Sequence, residues 1–494
     1  MSPRRRKWLI AGPSVFTVVW LLPEPWLGLG GEARAVLAVA LWMAVWWGAE
    51  AVPLAVTALL PLALFPLLGV LEASAAAAPY ADQIIFLFLG GFLLAGAVES
   101  SGLHRRIALR LVAVMGDDPR LIIGGFMVAA ALLSMWISNS ATAIMLLPVA
   151  TAVSRRLVVA DEGAPPKPFE KALLLGIAYA ASVGGVGTLI GTPPNLVLAA
   201  AAEELLDRPI DFAQWLAVGV PLVVVLLPLA WLYLTRVAFK VGATRVKGVQ
   251  ALVRGELAKL GTSSPAERLV LLVFVCTALG WVFRSTKEIG GVVIPGLDTL
   301  WPAIKDSTIA IVAAISLFVL PGGRLGAPPV LTWEEAKRVP WDVILLFGGG
   351  LCLAKAFQAS GLDEVIASGL ASGSGSSSFV VVAAVVAGTV ALTEFTSNTA
   401  TAAMLMPLLA AAAVAGGQDP LGLMIAGAVA CSFAFCLPVA TPPNAVVYGS
   451  GRLAMRDMIL AGLAMNAVAY VVWLALFFLI AGPILGLGTT VSGP

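Results

Sequence analysis

Residues Ser134 to Pro148 read SMWISNSATAIMLLP, and residues 393–407 read TEFTSNTATAAMLMP. Ser138, Asn139, Met145 and Pro148 match Ser397, Asn398, Met404 and Pro407 at a constant offset of 259 (397 − 138). Each copy is a polar cluster inside a long apolar run. Each is followed by a second break, Gly-Thr-Pro-Pro-Asn at 191–195 and Ala-Thr-Pro-Pro-Asn at 440–444. Proline removes a backbone donor and restricts the residue before it, so consecutive prolines unwind a helix. Unwound backbone within hydrocarbon survives only where protein or a watery cavity satisfies it. These breaks therefore predict one shared internal site.

That the surroundings are a membrane follows from composition. Of 494 residues, 60% are hydrophobic and 12% charged, against about 25% charged in soluble domains. A span needs roughly 17–25 apolar residues. Candidates lie near 8–29, 33–50, 52–71, 83–102, 169–204, 213–239, 267–284, 307–321, 342–360, 420–450 and 457–485. Two more runs, about 119–157 and 378–412, carry the Ser-Asn clusters at their centres. The basic start MSPRRRK precedes a whole series of spans, so an uncleaved first helix is expected. Cys276, Cys352, Cys431 and Cys436 lie in apolar runs without metal-ligand spacing, which predicts a packing role. His104 is the only histidine, which argues against a histidine-based metal site or a Ser-His-Asp hydrolase. No nucleophile–base pair stands out, so an enzyme is not expected, nor is a nucleic-acid partner.

Positive charge on short loops marks the cytoplasmic side. With both Ser-Asn runs read as re-entrant hairpins and the N-terminus inside, most of the 30 Lys and Arg residues fall on the cytoplasmic side. Only Arg34, Arg208, Arg284, Lys287 and Lys305 fall outside, with Lys355 within a span. Were each run to cross once, the basic block from Arg155 to Arg338 would lie outside, so the hairpin reading is preferred. Gly90, Gly91, Ser101, Gly102 and Leu103 match Gly349, Gly350, Ser360, Gly361 and Leu362 at the same offset of 259. Five crossings separate the copies, so they face opposite ways. Inverted repeats with broken helices are a recurrent plan of secondary transporters. Residues 240–266 read as a basic cytoplasmic linker, and SGSGSSS at 372–378 leads into the second hairpin.

A re-entrant hairpin leaves backbone amides and carbonyls unpaired at membrane depth. N-terminal helix ends attract anions, whereas unwound carbonyls coordinate cations. Ser138-Asn139-Ser140 and Ser397-Asn398-Thr399 add hydroxyls and amides that donate or accept. No Lys or Arg lies in any of the four breaks, so a bound anion would rest on neutral dipoles and on bound cations. Oxygen ligands for alkali cations are then the side chains of Ser134, Asn139, Thr393 and Asn398, with carbonyls near Gly191 and Ala440. One Ser-Asn-Thr in a membrane helix is more often interhelical glue than a ligand set. Two copies, in the same order and each followed by a Pro-Pro break, reverse that preference. The paired glycines read as close helix packing. Glu394 reads equally as a functional intramembrane acid or as a group orienting the hairpin tip. Lys355 can snorkel, and His104 with Arg105, Arg106 and Arg110 reads as a solvated or headgroup-facing helix.

The SNSAT at 138–142, the SNTAT at 397–401, both Thr-Pro-Pro-Asn loops and WWGAEAVPLAVTALLPLALFPLLGV at 46–70 resemble the divalent-anion/sodium symporter family, the dicarboxylate and citrate carriers. The likeness covers nearly the whole chain. It implies an all-α homodimer whose protomer has eleven spans plus two hairpins, divided into a scaffold and a transport domain that moves as an elevator. It also implies one sodium held by Ser134, Ser138, Asn139 and Gly191, and another by Thr393, Thr396, Asn398 and Ala440. Substrate carboxylates would meet Asn139, Ser140, Asn398 and Thr399, with Thr192, Pro193, Thr441 and Pro442 lining the loops. The family usually has threonine where this chain has Ser140, which keeps the hydroxyl and loses a methyl.

The expected division is scaffold helices and an interfacial helix over 1–118, first hairpin and broken helix over 119–212, scaffold helices over 213–377, second hairpin and broken helix over 378–456, and a final helix over 457–494. The expected activity is sodium-coupled uptake of succinate, malate or fumarate across the inner (cytoplasmic) membrane. An exchanger or a sulfate or tricarboxylate carrier on the same scaffold is the nearest alternative. A channel would need a continuous polar pore, whereas the sequence offers one central cluster.

Overall fold

The structure is a computed structural model that describes residues 3–23, 28–157, 168–242, 249–289, 292–323, 326–370 and 377–487. It is helical almost throughout. The exception is a two-stranded antiparallel hairpin, Lys287–Ile289 with Val292–Ile294, in which Lys287 pairs with Ile294. Among the described residues, seven helices are long and apolar enough to cross a membrane. They are Gly31–Ala49, Ala73–Ser100, Phe212–Ala238, Pro265–Val282, Trp341–Ala359, Asn398–Ala415 and Met455–Ile484. Several of the other apolar runs form shorter helices or broken pairs. The 52–71 run is one such pair, Leu54–Thr57 and Leu60–Leu67. Pro61 opens the second helix without an N–H, and the Ala58 carbonyl at the break accepts from the Tyr80 hydroxyl at 2.5 Å.

All four predicted breaks are present. Pro119–Ser134 and Asn139–Leu157 flank the first Ser-Asn tip, and Ser378–Thr393 and Asn398–Ala415 flank the second. Pro168–Gly185 stops before the first Thr-Pro-Pro-Asn and Pro193–Leu206 restarts after it. Pro420–Ala430 and Pro442–Gly449 repeat the interruption. In each restart the prolines occupy the first helical turn, where a missing N–H costs nothing.

These broken pieces form the centre of the molecule. Every described residue of Pro168–Gly185 from Phe169 to Gly185 is buried except Lys171, as expected for a helix apolar on all sides and enclosed by others. Pro265–Val282 and Met455–Ile484 are only 22% and 28% buried, which leaves their apolar faces to lipid. The two halves interlock. Pro168–Gly185 packs along Pro119–Ser134 and also touches Pro442–Gly449, while Pro193–Leu206 packs on Asn398–Ala415 and Pro420–Ala430. Lys171 Nζ lies 2.8 Å from Asp457 Oδ2, and Arg452 pairs with Glu170, tying the start of one broken helix to the end of the other.

The glycine pairs mark close approach. A Cβ on Gly90 would sit 2.6 Å from the Ala310 carbonyl carbon, and one on Gly349 would sit 2.4 Å from the Ala58 oxygen. Gly102 and Gly361 have φ of 77° and 66°, left-handed turns that suit glycine. Each turn feeds a short amphipathic helix, Leu103–Ala113 or Leu362–Leu370.

Two expectations change here. Arg106 is not solvated: it is 4% exposed, and its guanidinium donates to Glu267 Oε2 at 2.9 Å and to the carbonyls of Gly261, Leu260 and Thr262 at 2.8, 3.1 and 3.3 Å. Arg105 does face water and meets Glu256 at 3.0 Å. Cys276 is exposed on a lipid-facing helix, whereas Cys352, Cys431 and Cys436 are buried. The linker contains the helix Val249–Lys259, and most of the Ser/Gly-rich turn at 372–378 lies outside the described residues.

Candidate functional site

At the first tip, helix Pro119–Ser134 ends and Asn139–Leu157 begins within five residues. That places the Ser134 hydroxyl in hydrogen-bond contact with Asn139 Oδ1. At the second tip, Thr393 Oγ1 lies 2.7 Å from Asn398 Oδ1 and 2.9 Å from the Cys431 carbonyl oxygen. Ser134 and Thr393 are fully buried. The expected cation oxygens on the hairpins therefore meet in pairs, at equivalent positions of the two copies.

The loops close against those pairs. A Cβ built on Gly185 would lie 2.7 Å from Asn139 Oδ1 and 3.2 Å from the Gly191 oxygen, so both oxygens converge on one point. A Cβ on Gly191 would lie 2.5 Å from the Gly185 oxygen and 3.0 Å from the Met135 oxygen. The first copy thus gathers side-chain and carbonyl oxygens, all neutral, in one small volume. Among the described residues no cluster of His, Cys, Asp and Glu suited to a metal ion occurs; neutral oxygen donors of this kind are the type that hard cations prefer.

The other expected cation ligands have visible second tasks. Ser138 Oγ accepts from the Ala141 N–H at 3.2 Å, capping the helix that starts at Asn139. Thr396 Oγ1 donates to the Leu392 carbonyl at 2.9 Å and sits 2.6 Å from Thr401 Oγ1. The hydroxyls of both are engaged locally, and the Ser138 carbonyl also accepts from the Thr142 N–H at 3.0 Å. Ala440, matching Gly191, is buried at the second loop.

A cavity of about 960 Å³ opens beside the tips. Asn139, Ser140, Thr192, Pro193, Asn398, Thr399, Thr441 and Pro442, all the expected substrate-lining residues, face it. Ser138, Gly191 and Ala440 also reach it, whereas Ser134, Thr393 and Thr396 lie outside its wall. Where the tips and loops line it the wall is neutral, and Glu50 adds a charge elsewhere. Toward Glu99, Glu335, Arg338 and Asp342 it becomes charged.

Two features escaped the sequence reading, and the contacts of a third residue bear on its two readings. Thr188 donates from its hydroxyl to the Met135 carbonyl, binding the first loop to the first tip. Asn195 and Asn444, the last residues of the two Thr-Pro-Pro-Asn motifs, are fully buried and donate across their own loops. The third is Glu394. It is 6% exposed, and its carboxylate accepts from the N–H groups of Phe435, Cys436 and Leu437 at 2.9, 3.0 and 3.2 Å and from Asn466 Nδ2 at 2.6 Å. Of its two sequence readings, orientation of the tip is the one these contacts support. The repeat of the asparagine in both motifs was the only signal for its importance.

Helices apolar enough to span, wrapped around two interrupted pairs whose ends converge on a cavity with neutral residues at the tips, define a multi-pass membrane protein of the secondary-carrier type. A family model described as the sodium:sulfate symporter transmembrane region matches residues 6–486, and the chain belongs to that family. A "Sodium-dependent dicarboxylate transporter SdcS" of Staphylococcus saprophyticus is 40% identical over 488 residues, covering 98% of this chain and 92% of that protein. A protein of the same name from Staphylococcus aureus is 39% identical over 487 residues, covering 97% and 92%. Among solved structures, Neisseria gonorrhoeae MtrF aligns with a TM-score of 0.60 at 13% identity over 85% of this chain and 86% of its own. The Alcanivorax borkumensis YdaH transporter aligns at 0.56 and 16% identity over 84% and 87%. At such identities these two speak for the fold alone.

Proposed function

We propose that this chain is a sodium-coupled symporter that carries C4-dicarboxylates such as succinate, malate or fumarate into the cell. The observation that carries the reading is the pairing of Ser134 with Asn139 and of Thr393 with Asn398 at the neutral tips that border one cavity. With no Lys or Arg in the four breaks, a dianion there needs cations beside it. Sodium ions are the co-transported partners; they meet Ser134, Asn139 and Gly191 on one side and Thr393, Asn398 and Ala440 on the other, with Ser138 and Thr396 contributing carbonyls. Asn139, Ser140, Asn398 and Thr399 face the carboxylates, and Thr192, Pro193, Thr441 and Pro442 form the loop walls. Relatives named as sodium-dependent dicarboxylate transporters support both the ion and the substrate class.

The same reading takes the two tips as re-entrant hairpins among eleven spans, arranged as an inverted repeat in a homodimer. The hairpins and broken helices over 119–212 and 378–456 form the moving part. The segments 1–118, 213–377 and 457–494 form the scaffold and final helix. The N-terminus faces the cytoplasm across the inner membrane. The cavity reaches Ser100 and Arg338, which the charge distribution puts on the cytoplasmic side, so this conformation is inward-facing. A bound cation draws each tip against its loop and completes the anion pocket; without it the pocket lacks positive charge and the moving part crosses poorly.

Uptake of labelled succinate into proteoliposomes, with sodium or potassium outside, tests the coupling. Strong uptake in sodium alone is expected, and equal uptake in both salts overturns the proposal. Because the family model carries sulfate in its description, sulfate and citrate belong in the competition panel. Exchange without net uptake would identify the antiport alternative.

A further inference from the structure

Each unwound loop is spanned by one buried amide. Asn195 Nδ2 lies 2.8 Å from the Thr188 carbonyl oxygen, 3.3 Å from that of Gly185 and 3.4 Å from that of Val186. Asn444 Nδ2 lies 3.1 Å from the Ala434 oxygen and 3.1 Å from the Leu437 oxygen. Both asparagines are fully buried. At the offset of 249 (444 − 195) that relates the two motifs, Gly185 corresponds to Ala434 and Thr188 to Leu437. The amides thus make the same two contacts in both copies, each joining the start of a half-helix to the carbonyls that end the preceding one.

The surroundings of these contacts are not alike. Thr188 is replaced by Leu437, Gly185 by Ala434, and Met135 at the neighbouring tip by Glu394. The first loop reaches its tip through a hydroxyl, the second through a carboxylate. What both halves keep is the amide across the loop, with Gly191 or Ala440 enclosed between its anchor points. Both Asn195 Oδ1 and Asn444 Oδ1 are buried without a partner. The side chains are therefore oriented by their donors alone, since two N–H donors are available and both are used. A residue present only to fill the core would avoid an orphaned acceptor, which is costly to bury.

We propose that Asn195 and Asn444 are positioning residues for the two sodium ions. Each amide fixes the curvature of its loop so that the Gly191 or Ala440 carbonyl points at the oxygen of Asn139 or Asn398. The inference rests on the reading of those paired oxygens as sodium ligands. Its consequence is specific: removing the amide weakens sodium binding and leaves the anion contacts on the hairpins in place.

The test uses the full-length carrier in proteoliposomes with the variants N195A, N195D, N444A and N444D. Aspartate matches asparagine in size but replaces the two N–H donors with at most one O–H, present only when the carboxyl is protonated. All four variants should raise the sodium concentration for half-maximal succinate uptake by about tenfold, the loss of about one good hydrogen bond. The succinate KM at saturating sodium should stay close to wild type, and the melting temperature in choline should fall by no more than the loss of the amide's own hydrogen bonds. An unchanged sodium dependence overturns the proposal. So does an aspartate variant that behaves as wild type, because the oxygen and not the donor would then matter. A variant that fails to accumulate overturns it too, since the amide would then hold the fold itself. S134A run in parallel separates the two readings. If S134A weakens sodium dependence and the asparagine variants do not, only this inference fails; if S134A also has no effect, the sodium-site reading fails first.

Discussion

Gly185 offers the sharpest test of the first proposed ion site, because the structure states what an added methyl would meet. The Cβ of G185A would lie 2.7 Å from Asn139 Oδ1, 3.1 Å from Asn139 Nδ2 and 3.2 Å from the Gly191 oxygen. Carbon and oxygen settle near 3.3 Å or beyond, so Asn139 Oδ1 must retreat by about 0.6 Å. The retreat is away from Gly185, and it disturbs the position of the oxygen that is proposed to share an ion with Gly191. Overfilling a packed core costs about 1–3 kcal/mol, which corresponds to a sodium half-saturation raised by about 5- to 150-fold. The natural control is in the other half, where Ala434 already carries a methyl at the matching position; A434G should change sodium dependence by less than about twofold. The assay is a sodium titration of labelled succinate uptake at fixed succinate, paired with thermal unfolding of the purified carrier in choline and in sodium. G185A should unfold in choline somewhat below the wild-type temperature, by the cost of overfilling, and should in addition lose most of the added stability that a bound ion confers. A G185A carrier with the wild-type sodium curve would refute convergence of Asn139 and Gly191 on a cation.

Three further outcomes follow from named contacts. S134A and T393A each remove one buried oxygen and should each raise the sodium half-saturation by about five- to tenfold, read in the same uptake titration; a doubled deficit confined to one of them would mean that only one pair holds an ion. E394Q keeps the shape of Glu394 but replaces one acceptor oxygen with a donor facing backbone N–H groups, so it should lower unfolding stability by about 1.5–3 kcal/mol, measured by denaturation in detergent. R106A leaves Glu267 buried without its cation and three carbonyls without a donor, which should cost about 3–5 kcal/mol; a folded, fully active R106A carrier would show that the linker and the Leu103–Ala113 helix need no such anchor.

Much of this was legible from residue order, and the reasons are physical. Pro-Pro after Thr192 and Thr441 cannot continue a helix, so the two interruptions were readable without coordinates. The Ser-Asn tips were readable because polar side chains inside apolar runs demand partners. Which partner each found was not, since that depends on packing between segments far apart in sequence. Arg106 shows the limit most clearly. Within Leu103-His104-Arg105-Arg106 it looks like its solvated neighbour Arg105, yet it lies under the 260–264 turn and Arg105 does not. The 52–71 run failed as a single span because hydropathy ignores Pro61. Asn195 and Asn444 were quoted as motif ends and not as clamps, because only the folded loop brings residues seven and ten positions earlier within reach.

The two halves of the proposed site solve one problem with different chemistry. In the first, the tip residue after Ser134 is Met135, whose carbonyl takes a hydroxyl donor from the loop, and the whole cluster stays neutral. In the second, the residue after Thr393 is Glu394, and a carboxylate gathers three consecutive loop amides. Bare consecutive N–H groups form a concavity that favours anions. Beside a cation site they would oppose the ion, and the Glu394 carboxylate cancels that field while holding the loop. The first loop has less such need, because the N–H groups of Val186 and Gly187 at the matching positions already donate to the carbonyls of Val183 and Gly184 at 3.2 and 2.8 Å. Sequence symmetry at Asn139 and Asn398 thus coexists with electrostatic asymmetry one shell away, and two ions bound at these places would experience unequal fields. A carrier built this way can fill its sites in a preferred order even though the ligand-bearing motifs are near copies of one another.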